Sequence, residues 1–276
     1  MMQHCRTNRF LAAVGTGLAG LWWLMSFVSA AEPPRVVLFD ADGREHQGAL
    51  TSLSHESVGL SDSVGVRSWS DVVRLRFERA EVLAAEPRGS AIWLANGDRL
   101  IARGVSIDDE HLHATWREFP DWPELVLPLE AVRGLSLSLP SARERRDEVA
   151  AWLLDRKSPR DELRLVNGYV LGGEVLGWRV ETVTLKSSAG ELKLPSAEIR
   201  DIGFNPELLA LPEPKELCWL TSLRDGSRVT LLASRSRMVA GTLRAAHVTG
   251  LLCDIPLESI AEMRVLRGRA VYLSDL

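Results

Sequence analysis

The apolar positions of this chain fall into short runs, and four of these runs are followed by a turn with a central glycine. The turns are DADGRE with Gly43, LANGDRL with Gly97, LVNGYVL with Gly168 and LRDGSRV with Gly226. Asn-Gly or Asp-Gly between two β-prone runs is a strong signal for a hairpin. The pattern predicts four β-hairpins, each with a type I′ turn that requires positive φ at both central residues.

A second pattern recurs towards the end of each repeat. The segments LPLEAVRGLSL, LPSAEIRDIGF and IPLESIAEMRV align on Pro128, Pro195 and Pro256, and each has apolar residues four, seven and nine positions later. The first repeat keeps this spacing from Ser68. Proline suits the first position of a helical turn, and positions seven and nine share one face of a strand. Each copy therefore predicts a single helical turn followed by a closing strand.

Together the two patterns predict a mainly β protein of four tandem small barrels, each of about five short strands. The connecting residues 141–159 are predicted to form a helix that begins with a capping box of Ser141 and Glu144 and covers a seam between barrels. The three prolines in residues 206–216 predict an extended, stiff linker. The predicted β units cover residues 35–80, 91–140, 162–205 and 217–267.

One repeat, residues 163–202, resembles the Sm-like and SH3-like small barrels. It has their order of strand, glycine turn, a strand with Gly172 and Gly173, another strand, and a short turn with a closing strand. The resemblance implies that the four tandem units are SH3-like/Sm-like barrels, with the α-helix predicted above for residues 141–159 as the one connecting helix. Sm-like proteins bind RNA through loop residues, but KLPSAEIRDI and VLPLEAVRGL contain no basic or His-Lys loop. RNA binding is therefore not expected here.

The repeats are also similar to those of exported multidomain bacterial proteins that carry a novel carbohydrate-binding module associated with glycoside hydrolase family 98. The similar segments are NGDRL, IRDIGFNPEL and the tail RGRAVYLSDL at 267–276. In those proteins the repeats precede the module, so residues 268–276 are expected to begin a following module or to form a tail. The resemblance implies a carbohydrate-binding role, with glycans or envelope proteins as partners.

The N-terminus has the features of a secretory signal. Arg6 and Arg9 precede an apolar run from Phe10 to Val28, and Val28-Ser29-Ala30 forms a small-x-small cleavage site. Residues 1–30 are therefore predicted to be a signal peptide that directs the chain to the periplasm, the cell surface or the medium. The run also approaches the roughly 20 residues needed to span a bilayer, so an uncleaved anchor is the alternative and the one membrane contact expected.

Charge and motifs exclude several functional classes. A net charge of −4 without a basic block is unlike the electrostatic footprint of a nucleic-acid-binding protein. The sequence contains no G-x-S-x-G, H-E-x-x-H, G-x-x-x-x-G-K or C-x-x-C motif. We therefore expect no catalytic residue, no cofactor and a non-enzymatic scaffold or binding segment. The alternatives are a glycan-active hydrolase with unidentified carboxylates and a structural oligomer assembled through strand edges.

Aromatic residues supply the first candidate site. Trp116, Phe119 and Trp122 lie in a long insertion with acids and prolines, where exposed rings would stack on sugars or peptides. The interpretation as core residues is favoured for four other tryptophans, which are Trp93, Trp152, Trp178 and Trp219.

Histidines and cysteines supply two further candidates. His111 and His113 share one side of a predicted strand beside acidic residues, which is a start for a metal site; a polar hairpin is the favoured alternative. Cys218 and Cys253 either form a disulfide, which an oxidising compartment permits, or fill the core as buried small side chains.

Overall fold

A computed structural model describes residues 32–61, 65–78, 89–119 and 124–268 of the chain, and it is mainly β with antiparallel strand pairing. The mainly β class predicted from the sequence is therefore confirmed. The predicted signal peptide at 1–30 and nearly all of the predicted tail at 268–276 lie outside the described residues. Within the described part of the chain, no helix has the length and apolar character needed to cross a membrane.

The strands follow one another in four groups of five, which we call units 1 to 4. Unit 1 contains β1 (Arg35–Asp40), β2 (Glu45–Leu53), β3 (Ser57–Leu60), β4 (Gly65–Ser68) and β5 (Val72–Phe77). Unit 2 contains β6 (Ser90–Leu94), β7 (Arg99–Ile107), β8 (His111–Trp116), β9 (Leu125–Pro128) and β10 (Val132–Ser136). Unit 3 contains β11 (Asp161–Leu165), β12 (Val170–Arg179), β13 (Thr182–Ser187), β14 (Gly190–Pro195) and β15 (Ile199–Gly203). Unit 4 contains β16 (Cys218–Leu223), β17 (Arg228–Val239), β18 (Thr242–His247), β19 (Leu252–Pro256) and β20 (Ile260–Leu266).

Every unit has the same pairing order. Its first strand lies between its second strand and its closing strand, its third strand pairs with the second, and its fourth pairs with the third. A three-residue 3₁₀ helix precedes each closing strand. The common order follows from the common sequence pattern, because the glycine turn joins strands one and two and the closing segment returns to strand one.

The glycine turn of each unit is a three-residue loop and not the predicted type I′ turn. In unit 2 the Gly97 N–H donates to Leu94 O at 3.0 Å and the Leu94 N–H donates to Asp98 O at 2.9 Å, and the same pair of bonds recurs in the other units. The four turn glycines have φ between 81° and 92°, whereas Asn96 and its counterparts have no positive φ. The type I′ prediction is wrong because a type I turn followed by a left-handed glycine needs positive φ only at the glycine.

The closing segments bury the residues that their spacing selected, with Leu137 only partly buried. Pro128, Pro195 and Pro256 do not begin the 3₁₀ turns as predicted, since each is the extended N-cap residue that ends the preceding strand. That strand is the outer one of its unit, and proline lacks the N–H that an inner strand would need for its ladder. The proline therefore marks the end of an edge strand.

The units are joined through their closing strands. Strand β5 pairs with β20, which links unit 1 to unit 4, and β10 pairs with β15, which links unit 2 to unit 3. Beside the first of these seams the indole rings of Trp69 and Trp219, both buried, lie with their centroids 4.8 Å apart. Unit 1 therefore shares a seam with unit 4, which is distant in the sequence, and not with unit 2, which follows it directly.

The helix α1 (Arg143–Leu154) packs against β10 of unit 2, the strand that pairs with β15 of unit 3. Val149 and Leu153 pack there, and a Cβ atom at Gly134 would lie 2.6 Å from Leu153 Cδ2 and 2.4 Å from Ile202 O. The predicted capping box is wrong: the N-cap residue is Ala142, which makes no side-chain cap bond. Packing of the apolar face thus sets the helix position, in place of a cap.

The proline-rich linker is not extended at its start. Residues Pro206–Leu208 form a 3₁₀ turn, with the Glu207 N–H donating to Asn205 Oδ1 at 3.0 Å. Further on, the Ala210 N–H donates to Glu130 O at 2.8 Å. The linker is therefore attached to unit 2 and does not act as a free spacer.

Candidate functional site

The glycine turns of units 2 and 4 pack against each other, although they lie far apart in the chain. The guanidinium of Arg99, next to the unit 2 turn, donates to Gly226 O from Nε at 3.1 Å and from Nη2 at 2.8 Å. The Ile101 N–H donates to Ser227 Oγ at 2.9 Å. Each of these bonds satisfies a polar group that the packing of the two turns removes from water.

The carboxylate of Asp98 is the centre of this contact and is buried. Its Oδ1 accepts from Thr230 Oγ1 at 2.8 Å. Its Oδ2 accepts from Thr230 N at 2.7 Å, His247 Nε2 at 2.9 Å and Asn96 Nδ2 at 2.9 Å. Two carboxylate oxygens offer about four acceptor positions. Asp98 is therefore held by four groups of the chain, three of which bond to Oδ2 and one to Oδ1.

Asp98, His247 and Thr249 have the residue types of a catalytic triad, but their geometry does not support that chemistry. Nδ1 of His247 lies 2.8 Å from Thr249 Oγ1 and also accepts from the Thr249 backbone N–H at 3.2 Å. The ring hydrogen then lies on Nε2 and points to Asp98. Because the Nδ1 lone pair already accepts the backbone N–H, it is not available to take the hydroxyl proton. The histidine therefore supports the turn.

A second buried carboxylate lies in the turn of unit 4. Asp225 Oδ1 accepts from Ser227 N at 2.7 Å, and Oδ2 accepts from Ser227 Oγ at 2.9 Å. Trp116 Nε1, from unit 2, donates to Asp225 Oδ2 at 3.2 Å and to Ser227 Oγ at 3.1 Å. The two units are thus joined by a buried polar cluster, which we call the turn network; its members are Asp98, Arg99, Trp116, Asp225, Ser227, Thr230 and His247.

Burial and neighbouring charges shift three pKa values in and around the turn network. Burial raises the pKa of Asp225, against the hydrogen bonds from Ser227 and Trp116 that lower it. Burial also raises the pKa of Glu118, and the charge of Asp225 raises it further. Burial lowers the pKa of Arg99. Removal from water is thus the main electrostatic influence here.

The aromatic ligand surface predicted from Trp116, Phe119 and Trp122 is wrong for the first two residues. Trp116 is 1% exposed and Phe119 is 6% exposed, and their rings meet edge to face with centroids 5.2 Å apart. Trp116 is buried because its indole N–H completes the turn network and its ring fills the space between units. Trp122 lies outside the described residues.

His111 and His113 form part of a hairpin that holds its own charges. His113 Nε2 lies 2.8 Å from Asp108 Oδ2, and Asp108 Oδ1 accepts from His111 N at 2.7 Å. The hydrogen bond to Asp108 raises the pKa of His113. No cluster of three or more ligating side chains that could hold a metal occurs in the described part of the chain. His111 and His113 thus lie in a polar hairpin in which Asp108 bonds to the backbone of one histidine and to the ring of the other.

Cys218 and Cys253 are free, buried thiols, so the disulfide alternative is not the one found. Each Sγ lies near a carbonyl oxygen two residues earlier, that of Glu216 for Cys218 and that of Leu251 for Cys253. Burial raises the pKa of Cys218 to about 11 and that of Cys253 to about 12. Both thiols are therefore protonated and act as small apolar side chains.

Sequence reasoning missed most of the turn network. Asp98 follows the turn glycine, where the other units have Arg44, Tyr169 and Ser227. That variation marks the position as one that the hairpin does not require, but it does not identify a partner 132 residues away. No protein-family model, curated protein or solved structure matches the chain.

Proposed function

We propose that the chain is an exported, non-catalytic scaffold or binding segment, the N-terminal part of a carbohydrate-binding envelope or secreted protein. We further propose that its four units are SH3-like or Sm-like barrels. The shared pairing order, with the first strand between the second and the closing strand, supports the barrel assignment. The patterns at residues 1–30 and 267–276 support export and the carbohydrate-binding context.

The turn network is the observation that carries the non-catalytic assignment. Carboxylate, imidazole and hydroxyl groups occur together there, but their hydrogen bonds join unit 2 to unit 4. Asp98 is buried and accepts four bonds from the chain, so its carboxylate is engaged in the contact between the two units. Such an interface suits a protein that holds its surfaces in a fixed arrangement.

Parallel assays of the full chain test this proposal. A panel of neutral and acidic glycans is screened for binding and for hydrolysis, and sedimentation measures the oligomeric state. The proposal predicts no hydrolysis and a monomer or a weak self-association. Turnover that copurifies with the chain and disappears in an active-carboxylate variant would refute the non-catalytic assignment. A stable ring would favour the structural oligomer.

One observation favours the hydrolase as the second candidate. Burial raises the pKa values of the carboxyl groups of Glu118 and Asp225, and the charge of Asp225 raises the pKa of Glu118 further. Asp225 also accepts a hydrogen bond from the buried Trp116, and glycoside hydrolases use a pair of carboxyl groups of which one has a raised pKa. Glu118→Gln would then abolish turnover, while Glu124→Gln, at a more exposed carboxylate nearby, would leave it unchanged. Equal activity of both variants and the parent would exclude this pair.

A further inference from the structure

A basic groove lies between units 1 and 4, away from the turn network. Its volume is about 810 Å³, and its walls are strands β17, β18 and β19 of unit 4 and the β2–β3 turn of unit 1. The charged residues that line it are His55, Arg235, Arg237, Arg244 and Asp254. The whole chain has a net charge of −4. The groove therefore has a cluster of positively charged side chains on a protein that is acidic overall.

Two of the arginines face each other across a strand pair. Arg237 is the direct register partner of Arg244, and Arg244 is in turn the partner of Asp254. Arg244 pairs with Asp254 at 3.3 Å, while no ion pair of Arg235 or Arg237 occurs within the described ranges. Like charges directly opposite each other destabilise a sheet. The row of paired residues Arg237, Arg244 and Asp254 thus contains an unfavourable contact between two arginines, and its one carboxylate does not neutralise both of them.

The repeats show that the fold does not require this contact. Counted from the conserved register of the hairpin, the matching rows are Ser52, Gly59 and Val66 in unit 1, Ser106, His113 and Val126 in unit 2, and Gly177, Thr184 and Lys193 in unit 3. The second strand has serine or glycine at this position in three units and arginine only in unit 4. A local arrangement that costs stability without serving the fold is characteristic of a functional site.

The two walls of the groove are held in place. Trp69 Nε1 donates to Ser54 O at 2.7 Å, which fixes the turn that carries His55. The Trp69 ring packs on Trp219 of unit 4. The side chains of Arg235 and Arg237 are exposed on the opposite wall. Any ligand would therefore meet guanidinium groups on a preformed framework, which reduces the entropy lost on binding.

We propose that this groove binds a compact polyanion, a ligand with two or more carboxylate or phosphate groups about 5–7 Å apart. That spacing follows from the distance between opposite residues on paired strands and between alternate residues on one strand. Guanidinium groups donate paired hydrogen bonds to both kinds of oxyanion. The inference rests on the proposed binding role, because it treats the groove as a place where a ligand is held and not transformed.

Isothermal titration calorimetry and thermal unfolding of the full chain test the proposal, with citrate as the polycarboxylate, pyrophosphate as the polyphosphate and inorganic phosphate as the single oxyanion. At constant ionic strength we expect citrate or pyrophosphate to bind with a Kd of about 1 mM or lower and to raise Tm. The two ligands distinguish carboxylate from phosphate specificity. Inorganic phosphate is expected to bind at least about tenfold more weakly, since it meets fewer guanidinium groups at once.

Arg237→Gln is expected to weaken binding by about tenfold or more, and Arg179→Gln, which removes the same charge from the equivalent hairpin of unit 3, to leave it unchanged. Without ligand, Arg237→Gln should keep or raise Tm, because it removes a like-charge contact; a purely structural arginine would lower Tm. The proposal would be overturned if neither citrate nor pyrophosphate binds. It would also be overturned if Arg237→Gln and Arg179→Gln weaken binding equally. Binding followed by turnover would instead refute the non-catalytic role and leave the groove assignment intact.

Discussion

Replacing Asp98 by alanine tests whether the turn network stabilises the whole protein. The substitution removes a buried carboxylate that accepts hydrogen bonds from Thr230 N, Thr230 Oγ1, His247 Nε2 and Asn96 Nδ2. Asn96 is exposed and can bond to water instead. The Thr230 backbone N–H and the His247 ring N–H are buried, so both would be left without an acceptor.

The expected loss follows from these two donors. An unsatisfied buried donor costs about 1–3 kcal/mol, so the free energy of unfolding should fall by roughly 2–6 kcal/mol. A domain of this size loses about 2–4 °C in Tm per kcal/mol, which predicts a decrease of at least about 4 °C. Asp98→Asn keeps one acceptor oxygen and should lose less. Proteins commonly have a free energy of unfolding of about 5–15 kcal/mol, so the expected loss is a large fraction of the total stability.

Urea unfolding monitored by tryptophan fluorescence measures the effect, because Trp116 belongs to the network. Tyr169→Ala is the matched control: Tyr169 holds the equivalent position after the turn glycine of unit 3 and is 72% exposed. That variant should change the free energy of unfolding by less than about 0.5 kcal/mol. A loss below about 1 kcal/mol for Asp98→Ala, or equal losses for both variants, would refute the reasoning.

Three further predictions concern the helix seam, the thiols and the polar hairpin. Gly134→Ala should lower stability by about 1–3 kcal/mol, because its Cβ meets backbone and Leu153, whereas Gly172→Ala, with nothing within 4 Å, should cost much less; thermal denaturation compares them. Cys218 and Cys253 should react with Ellman's reagent at pH 8 only after unfolding, and rapid labelling or an intact disulfide on mass analysis would contradict this. Because the pKa of His113 is raised in the folded protein, the stabilising contact with Asp108 is fully present below pH 6.5 and is lost as the pH rises through the pKa of the folded state. NMR titration should find a pKa above 6.5 for His113, and an unshifted pKa would contradict the contact.

Local patterns of the sequence were sufficient for the secondary structure. The four glycine turns and the spacing of the closing segments each depend on residues within about ten positions. Their main errors were also local: the loop is longer by one residue than a type I′ turn, and the prolines end edge strands in place of starting helical turns. Neither error alters which residues face the core.

The candidate sites were harder to predict because they depend on how the units meet. The sequence pattern assigns Trp116 to a polar insertion with the features of an exposed loop, yet Trp116 ends β8 and is buried against Asp225, 109 residues away. No property of the insertion itself signals that contact. The same reason hides the basic groove, since Arg237 and Arg244 are separated by a turn and His55 belongs to another unit.

The sequence by itself determined four hairpins, four closing strands with their inward-facing residues, and one connecting helix, because periodicity and turn chemistry act over short distances. Only the tertiary structure decided that unit 1 pairs with unit 4 and unit 2 with unit 3, and that the turns of units 2 and 4 share a buried carboxylate. Those outcomes depend on which strand edges and buried polar groups satisfy one another across 65 to 190 residues. Hydrogen-bond complementarity at that range is a property of the assembled chain.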